Sequence, residues 1–541
     1  METVLPKTVA ETASGAAKIA PAFFFHASRM PDKQAIWCEG ATATYQELAK
    51  LVCRWSNAMS ASGVKHGDHI GVILPNSIEF SALMLVAADL GAVLVPLNTS
   101  LTPSAVHKAF AAAEVKHVVS TAMLLKSLLV KPATSRTDGS GAKNFPTPPD
   151  FSTVSGLWLS VDEAIEGATL LADLLENASP HSQPLNAALE EDALILTMTS
   201  GSTGDPKPII LTQRTKFNRA RAAVELYDIT AQDRTLAATP LYHSLAERLV
   251  LIPLLTGGTS MLMSRFSAAA WLECVHEQAV TFTIAVSSQL KQIAGQLDGG
   301  HAYDITSLRC IVSSSALLDP QVKTELLAKF DCDFHECYGA SEIAIASNLD
   351  RVSAKTKLRS VGIAAPGVNI KIIGKNNEMV GTGEIGEIVC KTPMLFGGYF
   401  KRPDLTQAAM WGEYFRTGDM GRLDEDGFLY FLGRTKDIII SGGINIYPAD
   451  IEAVVNQHAS VAESAAFAFP DEQLGEVAAI AVVPTNKPEF DLKQLRFHCC
   501  ERLADFQQPR KFFIVNELPK NSMGKLMKQQ LVKTYAINSK C

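Results

Sequence analysis

The chain has 541 residues, 47% of them hydrophobic and 19% charged. That balance excludes a disordered chain, and the length exceeds one compact core, so about three to four domains or sub-domains are expected. A net charge of −7 leaves no electrostatic footprint for nucleic acid, and short basic stretches such as Arg219–Arg221 read as solvated helix faces.

From the start of the chain, the first twenty residues lack a basic start followed by an apolar core, so no secretory signal is expected. Residues 42–63 carry helical periodicity. "SIEFSALMLVAADLGAVLVPLN" (77–98) reads as a helix followed by a strand, and "VKHVVST" (115–121) as another buried strand. Alternating helical and strand patterns point to an α/β sheet protein. The longest apolar stretch, 82–97, is broken by Asp89 and Pro96 and is too short to span a bilayer. Residues 131–156 are rich in Pro, Gly, Ser and Thr and read as a surface loop or insertion.

"LTMTSGSTGDPKPIILT" (196–212) is a strand, a polar loop and a second strand. Glycines let backbone N–H groups approach an anion, hydroxyls add donors, and Lys207 adds charge. A Walker loop runs strand, loop, helix, and needs a different glycine spacing with Ser or Thr after its Lys; here Lys207 precedes Pro208. From composition alone, an anion cradle and a plain hairpin loop stand level. Further along come "CYGASE" (337–342), "YFRTGDMGRLDEDGFLYFLGRTKDIIISGG" (414–443) and "LPKNSMGK" (518–525). A boundary is expected near 434, followed by a helix from about Pro448 and the strands "AESAAFAFP" and "VAAIAVVP", a small α+β unit. Ten Cys are scattered with no Cys-x-x-Cys pair and no zinc spacing, so they read as reduced, mostly buried thiols of an intracellular protein.

Each motif alone is weak. Together and in this order, "TSGSTGDPK", "YGASE", "TGD", "GRTKDIIISGGINIYPADIE" and the late "GK" resemble the adenylate-forming superfamily: acyl- and aryl-CoA synthetases, carrier-protein adenylation domains and beetle luciferases. The resemblance runs from about residue 25 to 535. It implies an α/β fold with a large multi-subdomain N-terminal adenylation domain (1–434), holding the ATP and acyl pockets, and a small mobile α+β C-terminal domain (435–541). The implied reaction is AMP-forming acid–CoA ligation. A carboxylate attacks the α-phosphate of ATP, giving acyl-adenylate and pyrophosphate, and the thiol of coenzyme A then displaces AMP.

By the same resemblance, Thr199, Ser200, Gly201, Ser202, Thr203, Gly204 and Lys207 cradle the β- and γ-phosphates. Tyr338 lies on the adenine face, Gly339 is among the ATP- and AMP-binding residues, Ser341 touches the α-phosphate, and Glu342 holds Mg²⁺, a hard ion suited to carboxylate and phosphate oxygens. Asp419 and Arg434 hold the ribose, and Lys525 is the adenylation lysine. Lys436 is the hinge, and Gly442 and Gly443 leave room for the pantetheine arm of coenzyme A. The acyl pocket is drawn from residues 240–247 and 285–289, from Ser314–Ala316, and from Cys337 and Ala340, with His243 as a gate or as packing.

The chain departs from the pattern at Pro208, where glycine is common; at Ser341, where threonine is common; and at "SSSALL" (313–318), where serines replace glycines. Malonate-type relatives carry Arg where this chain has Cys337, which argues against a second substrate carboxylate paired with Arg at that position. Glu247 and Arg248 read as a helix-surface feature. The expected acid is therefore a hydrophobic monocarboxylate, aromatic or medium-chain. Loading of a carrier protein and a non-catalytic nucleotide-binding role are the competing readings; no carrier domain is seen, and the retained lysines and carboxylates favour catalysis. A monomer or homodimer without a transmembrane segment, in the cytoplasm, is expected. The final Ser539-Lys540-Cys541 resembles a peroxisomal address only weakly.

Overall fold

The computed structural model describes residues 17–129, 151, 154–181, 188–200, 206–297, 303–521 and 525–537. Among these, the strands form two large sheets and two smaller ones. The nine-stranded sheet runs Ile363–Ala364, Ser347–Leu349, Asp333–Tyr338, Cys310–Ser314, Phe282–Val286, Arg234–Ala237, Thr259–Leu262, Gln34–Cys38, Ala41–Thr44. Its six inner strands from Asp333–Tyr338 to Gln34–Cys38 are parallel, with antiparallel strands at both margins. The seven-stranded sheet runs Thr169–Leu170, Trp158–Ser160, His117–Ser120, His69–Ile73, Val93–Pro96, Ala193–Ser200, Pro206–Thr212, and is parallel except for its last pair. Parallel strands need helical crossovers on their faces, and one cluster of buried residues joins both sheets through those helices.

The Ile78–Leu90 helix lies inside that cluster. Ser77 caps it by accepting from the Phe80 N–H, and Gly91 ends it at φ +69°; a left-handed stop suits glycine. The strand Val93–Pro96 follows at once, so the helix and strand expected at 77–98 are both present. The helix expected over 42–63 begins three residues later, at Tyr45. Ala41–Thr44 instead pairs antiparallel with Gln34–Cys38. Thr44 and Glu47 form a reciprocal capping box that sets the helix start. The expected strand at 115–121 is His117–Ser120. The loop read over 131–156 lies almost wholly outside the described residues.

Two helices between the sheets overturn expectations. The Gln213–Tyr227 helix buries Lys216 and Arg219, each 1% exposed, so Arg219 is not on a solvated face. Arg221 is partly exposed, with its guanidinium 3.9 Å from Glu225. The Ser244–Thr256 helix is buried without a break from Leu245 to Leu255. Glu247 and Arg248, 0% and 6% exposed, are therefore not a surface feature: the helix has no face left to water in that span.

A five-stranded antiparallel sheet is built on Asn369–Ile373, Gly386–Lys391 and Tyr414–Leu423, with Leu429–Arg434 paired to Tyr414–Leu423. After a 3₁₀ turn at Thr435–Asp437, the remaining strands make a separate sheet. Val461–Asp471 and Gly475–Pro484 form its long hairpin, and the helices Pro448–Val455 and Leu492–Arg502 contribute to its own core. The nine described cysteines are free, six of them buried. Among the described residues no helix is long and apolar enough to cross a membrane.

Candidate active site

Ligands in open α/β sheets gather at the carboxyl ends of the parallel strands. Tyr338 ends one such strand and Ser314 ends its neighbour. After Tyr338 the chain turns sharply: the Ala344 N–H donates to the Ala340 carbonyl at 2.8 Å, and the Ala346 N–H donates to the Tyr338 carbonyl at 2.8 Å. A Cβ on Gly339 would stand 1.7 Å from the Ala344 carbonyl oxygen, so only glycine fits this loop. The turn presents Ser341 and Glu342, both half-buried.

Tyr338 and Asp419 meet across two sheets. The Tyr338 hydroxyl donates to Asp419 Oδ2 at 2.7 Å. Asp419 and Arg434 are register partners on Tyr414–Leu423 and Leu429–Arg434, with Arg434 Nε 3.6 Å from Asp419 Oδ1. Asp419 is 5% exposed, and its Oδ1 is buried without a hydrogen-bond donor. Burial raises its pKa, opposed by Arg434, the Tyr338 bond and Lys525. An oriented carboxylate oxygen with no donor of its own, beside a guanidinium, is suited to a sugar hydroxyl.

Lys525 reaches the same cluster from the C-terminal segment. Its N–H donates to Asn521 Oδ1 at 2.9 Å, and its carbonyl accepts from the Asn521 N–H at 2.9 Å. Burial, then the charges of Arg434 and Lys436, lower its ammonium from 10.5 to about 8, against Asp419 and Asp437. Gly524 lies outside the described residues.

Around Glu342 two partners appear that the sequence reading missed. The Tyr399 hydroxyl donates to Glu342 Oε1 at 3.2 Å. Arg219 holds the loop from beneath: its Nη2 donates to the carbonyls of Ser341 (2.9 Å) and Glu342 (3.0 Å), its Nε and Nη2 to Met394 O (3.1 Å each), and its Nη1 to Ser244 Oγ (3.2 Å). The planar fork of arginine suits several carbonyls at once. No sequence signal separates Arg219 from a surface arginine, because its worth lies in backbone carbonyls more than a hundred positions away.

Glu342 is a half-buried carboxylate whose Oε1 accepts from Tyr399, a hard oxygen donor of the type Mg²⁺ takes. A single protein carboxylate completed by phosphate oxygens and water is how Mg²⁺ is commonly held.

Within the predicted phosphate loop, Thr199 pairs in register with Lys207 and Ser200 with Pro206, closing the hairpin. Gly201, Ser202, Thr203 and Gly204 lie outside the described residues, as do the side chains of Thr199 and Ser200. Lys207 is half-buried. His243 precedes the Ser244–Thr256 helix, with its ring 4.3 Å from that of Tyr242. Burial lowers it to about 4, so it is neutral near pH 7. Ser315 adopts φ +76°, a left-handed backbone in the stretch where serines replace glycines. The Ala316 carbonyl accepts from Ser287 Oγ at 2.6 Å. Ala340 is half-buried.

Lys436 is exposed in the 3₁₀ turn after Arg434. Gly442 (φ +55°) and Gly443 (φ +86°) form the tight turn between Ile439–Ser441 and Ile444–Ile446, where two positive φ values call for glycine. Gly442 N donates to Leu474 O at 2.9 Å, so this turn packs within the C-terminal sheet. Tyr338, Asp419, Arg434 and Lys525 are thus brought together, and Ser341 and Glu342 adjoin them through the turn after Tyr338.

Known proteins share this architecture. The family model for AMP-binding enzymes matches residues 23–400, and that for the AMP-binding enzyme C-terminal domain matches residues 450–525. The chain is 31% identical over 494 residues to a long-chain-fatty-acid–CoA ligase of Mycobacterium tuberculosis, covering 91% of this chain and 93% of that one. It is 30% identical over 511 residues to a feruloyl-CoA synthase of an Amycolatopsis species, covering 93% and 96%. Its fold is similar to that of o-succinylbenzoate CoA synthetase from Bacillus subtilis in complex with ATP and magnesium ion, with a TM-score of 0.81 at 26% identity over 94% of this chain and 98% of that one. The chain belongs to the AMP-binding, adenylate-forming enzyme family, as a ligase of the acyl-/aryl-CoA synthetase kind that forms the carbon–sulfur bond of an acyl-CoA.

Proposed function

We propose that this ligase joins an acid with an apolar body, aryl or medium-chain alkyl, to coenzyme A in two steps at one site. In the first, the acid's carboxylate oxygen attacks the α-phosphorus of ATP and pyrophosphate leaves. An anion approaches a polyanion, so fixed positive charge and donors lower the barrier. Lys207 and the loop Thr199–Gly204 would hold the β- and γ-phosphates, Tyr338 and Gly339 the adenine, and Ser341 the α-phosphate. Asp419 and Arg434 would take the ribose hydroxyls. Glu342 would hold Mg²⁺, which supplies charge neutralisation at the phosphates. Lys525 would place its ammonium where negative charge builds. His243, Ser314, Ala316 and Ala340 would line the acyl pocket.

In the second step the coenzyme A thiol attacks the acyl carbon, AMP leaves, and the thiol gives up its proton. We assign this step to a second arrangement, in which residues 435–541 turn about Lys436 against residues 1–434. Lys525 then withdraws, and the Gly442–Gly443 turn faces the pantetheine arm.

One observation carries the reading: the buried, donorless Asp419 Oδ1 between Tyr338, Arg434 and Lys525. Its test is pyrophosphate and AMP release with MgATP and coenzyme A across aromatic, fatty and dicarboxylic acids. Lys525→Ala should lose pyrophosphate release yet still convert supplied acyl-adenylate to thioester. Pyrophosphate without thioester would move the acceptor to a carrier protein, and no pyrophosphate with any acid would refute the ligase reading.

A further inference from the structure

The carboxyl ends of the two large sheets are joined at one buried amide. Asn76 stands three residues after the strand His69–Ile73 and directly before Ser77, the cap of the helix Ile78–Leu90. It is 4% exposed, and its side chain is spent on backbone of the other sheet. Nδ2 donates to Thr239 O and to Met263 O at 2.9 Å each, and Oδ1 accepts from the Leu241 N–H at 2.7 Å. Thr239 and Leu241 follow the strand Arg234–Ala237, and Met263 follows Thr259–Leu262. A primary amide offers two N–H donors and one carbonyl acceptor, and all three are engaged here.

The stretch that Asn76 holds runs on toward the Ser341–Glu342 turn. Gln289 secures its start from the helix Ser287–Leu297, donating from Nε2 to Ala238 O at 3.3 Å. At its far end Ser244 Oγ accepts from Arg219 Nη1 at 3.2 Å, and the same guanidinium holds the Ser341 and Glu342 carbonyls. Ala238, Thr239 and Leu241 are buried, whereas Tyr242 and His243 are half-buried. The His243 N–H closes the turn on Pro240 O at 3.0 Å. Tyr242 and His243 are therefore carried on a two-residue span between fixed points at Leu241 and Ser244. A span so short has no slack: a shift of Leu241 carries both rings with it, and misplacement by about 1 Å is enough to cost an enzyme its substrate geometry.

We propose that Asn76 is a positioning residue for the acid substrate: by fixing Thr239 and Leu241 it sets where His243 stands, and so how tightly the acid is held, without touching the acid itself. This rests on the reading that His243 lines the acyl pocket. Arg219 keeps Ser244 and the Ser341–Glu342 turn in place from the other side, so loss of the Asn76 contacts falls on the acid and spares MgATP.

The test compares wild type with Asn76→Asp, Asn76→Ser and Asn57→Asp. Asn76→Asp keeps the shape and the acceptor but sets a carboxylate oxygen against two carbonyls, and Asn76→Ser keeps one donor on a shorter arm. Asn57, on the helix Tyr45–Ala61, is a matched amide whose Nδ2 donates to Ser179 O and His181 O at 2.9 Å each, so Asn57→Asp makes the same lesion elsewhere. AMP release with coenzyme A and benzoate, 4-methylbenzoate, hexanoate or octanoate gives KM for each acid and for MgATP. Labelling of His243 by diethyl pyrocarbonate at pH 7, read by peptide mass spectrometry, reports where the ring stands without any turnover. Asn76→Asp should raise KM for the best acid by roughly 5- to 30-fold, the scale of one or two lost neutral hydrogen bonds, leave KM for MgATP within about twofold, and label His243 at least about threefold faster. Asn76→Ser should do the same to a smaller degree, and Asn57→Asp should do neither. The proposal is overturned if the acid KM is unmoved, if the acid and MgATP values rise together, if Asn57→Asp raises the acid KM as much, or if the acid KM rises while His243 labelling stays as in wild type. Where Asn76→Asp does not fold, Asn76→Ser decides by the same readings. If none of the four acids turns over, faster His243 labelling in Asn76→Asp than in wild type and Asn57→Asp supports the proposal, and equal labelling overturns it. Turnover with an unmoved acid KM leaves the ligase reading standing while this inference fails; absence of pyrophosphate with every acid in the wider panel fails the ligase reading itself.

Discussion

Lys525 offers a sharp check on the assembled site, because its pKa is set by neighbours that exist only if the C-terminal segment packs where it is seen. Burial, Arg434 and Lys436 bring it from 10.5 to about 8. If adenylation needs the ammonium, kcat/KM should follow the protonated fraction of the free enzyme. That fraction is about nine-tenths at pH 7 and about one-tenth at pH 9, whereas an unshifted lysine would stay more than about nine-tenths protonated at pH 9. The predicted profile of pyrophosphate release, recorded without coenzyme A so that thiol ionisation plays no part, therefore falls tenfold per pH unit above about 8.

Unfolding does not mimic this limb through the same group. A lysine depressed in the folded state binds fewer protons than in the unfolded chain between about pH 8 and 10.5, so its contribution to stability rises with pH across the window in which activity falls. Lys525→Ala should lower the rate by roughly 10²- to 10³-fold, the scale of a lost charge-stabilising donor, and abolish the limb. Lys436→Gln, which removes a like charge, should move the limb to higher pH. A wild-type profile flat to pH 9.5, or the same limb in Lys525→Ala, would refute the reasoning.

Arg219→Met should free the Ser341, Glu342 and Met394 carbonyls, raise KM for MgATP and lower kcat by roughly tenfold or more; Arg219→Lys should not rescue it, since an ammonium lacks the fork, and wild-type kinetics in that variant would sink the idea. Tyr399→Phe removes the donor to Glu342 Oε1 and should raise the Mg²⁺ requirement about three- to tenfold, read by titrating Mg²⁺ at fixed ATP. Glu247→Leu leaves Lys216 buried without its partner and should cost about 3–5 kcal/mol of stability, while Lys216→Met with Glu247→Leu recovers most of it; denaturant unfolding distinguishes the two.

The residues that the structure gathers around Asp419 were legible because they sit in short, ordered motifs. Tyr338, Asp419 and Arg434 come from segments already singled out, and strand register then pairs Asp419 with Arg434. The alternation of strand and helix was legible too: the helix and strand read over 77–98 are both present, and the structure adds their caps, Ser77 and Gly91. Arg219, Glu247 and Arg248 were misread because polar residues on a helix suggest a face toward water. That inference fails where a helix packs against protein on the side that carries the charge: Ser244–Thr256 is buried from Leu245 to Leu255, and Gln213–Tyr227 turns Lys216 and Arg219 inward while Arg214, Arg221 and Glu225 meet water. The buried charges of these helices answer to one another and to backbone carbonyls of distant segments, none of which is encoded locally. Tyr399 escaped notice for a similar reason: its only mark is a hydroxyl aimed at a carboxylate 57 positions away.

The charge around Lys525 also bears on how one site could serve two steps. Arg434, Lys436 and Lys525 act on one another against Asp419 and Asp437. A bound triphosphate adds several negative charges and would hold the lysine in, whereas loss of pyrophosphate returns the excess of cations and favours its withdrawal. A lysine near pKa 8 is about half neutral at pH 8 and therefore nucleophilic, so its reactivity toward an amine-acylating reagent reports where it is. The expected order is slow labelling of Lys525 with MgATP and an unreactive acid analogue, and faster labelling with a stable acyl-adenylate analogue in the absence of pyrophosphate. Added pyrophosphate should slow the second case again. Equal labelling in all three states would mean that phosphate charge does not hold Lys525 in the site, and the alternation would need a different driving force.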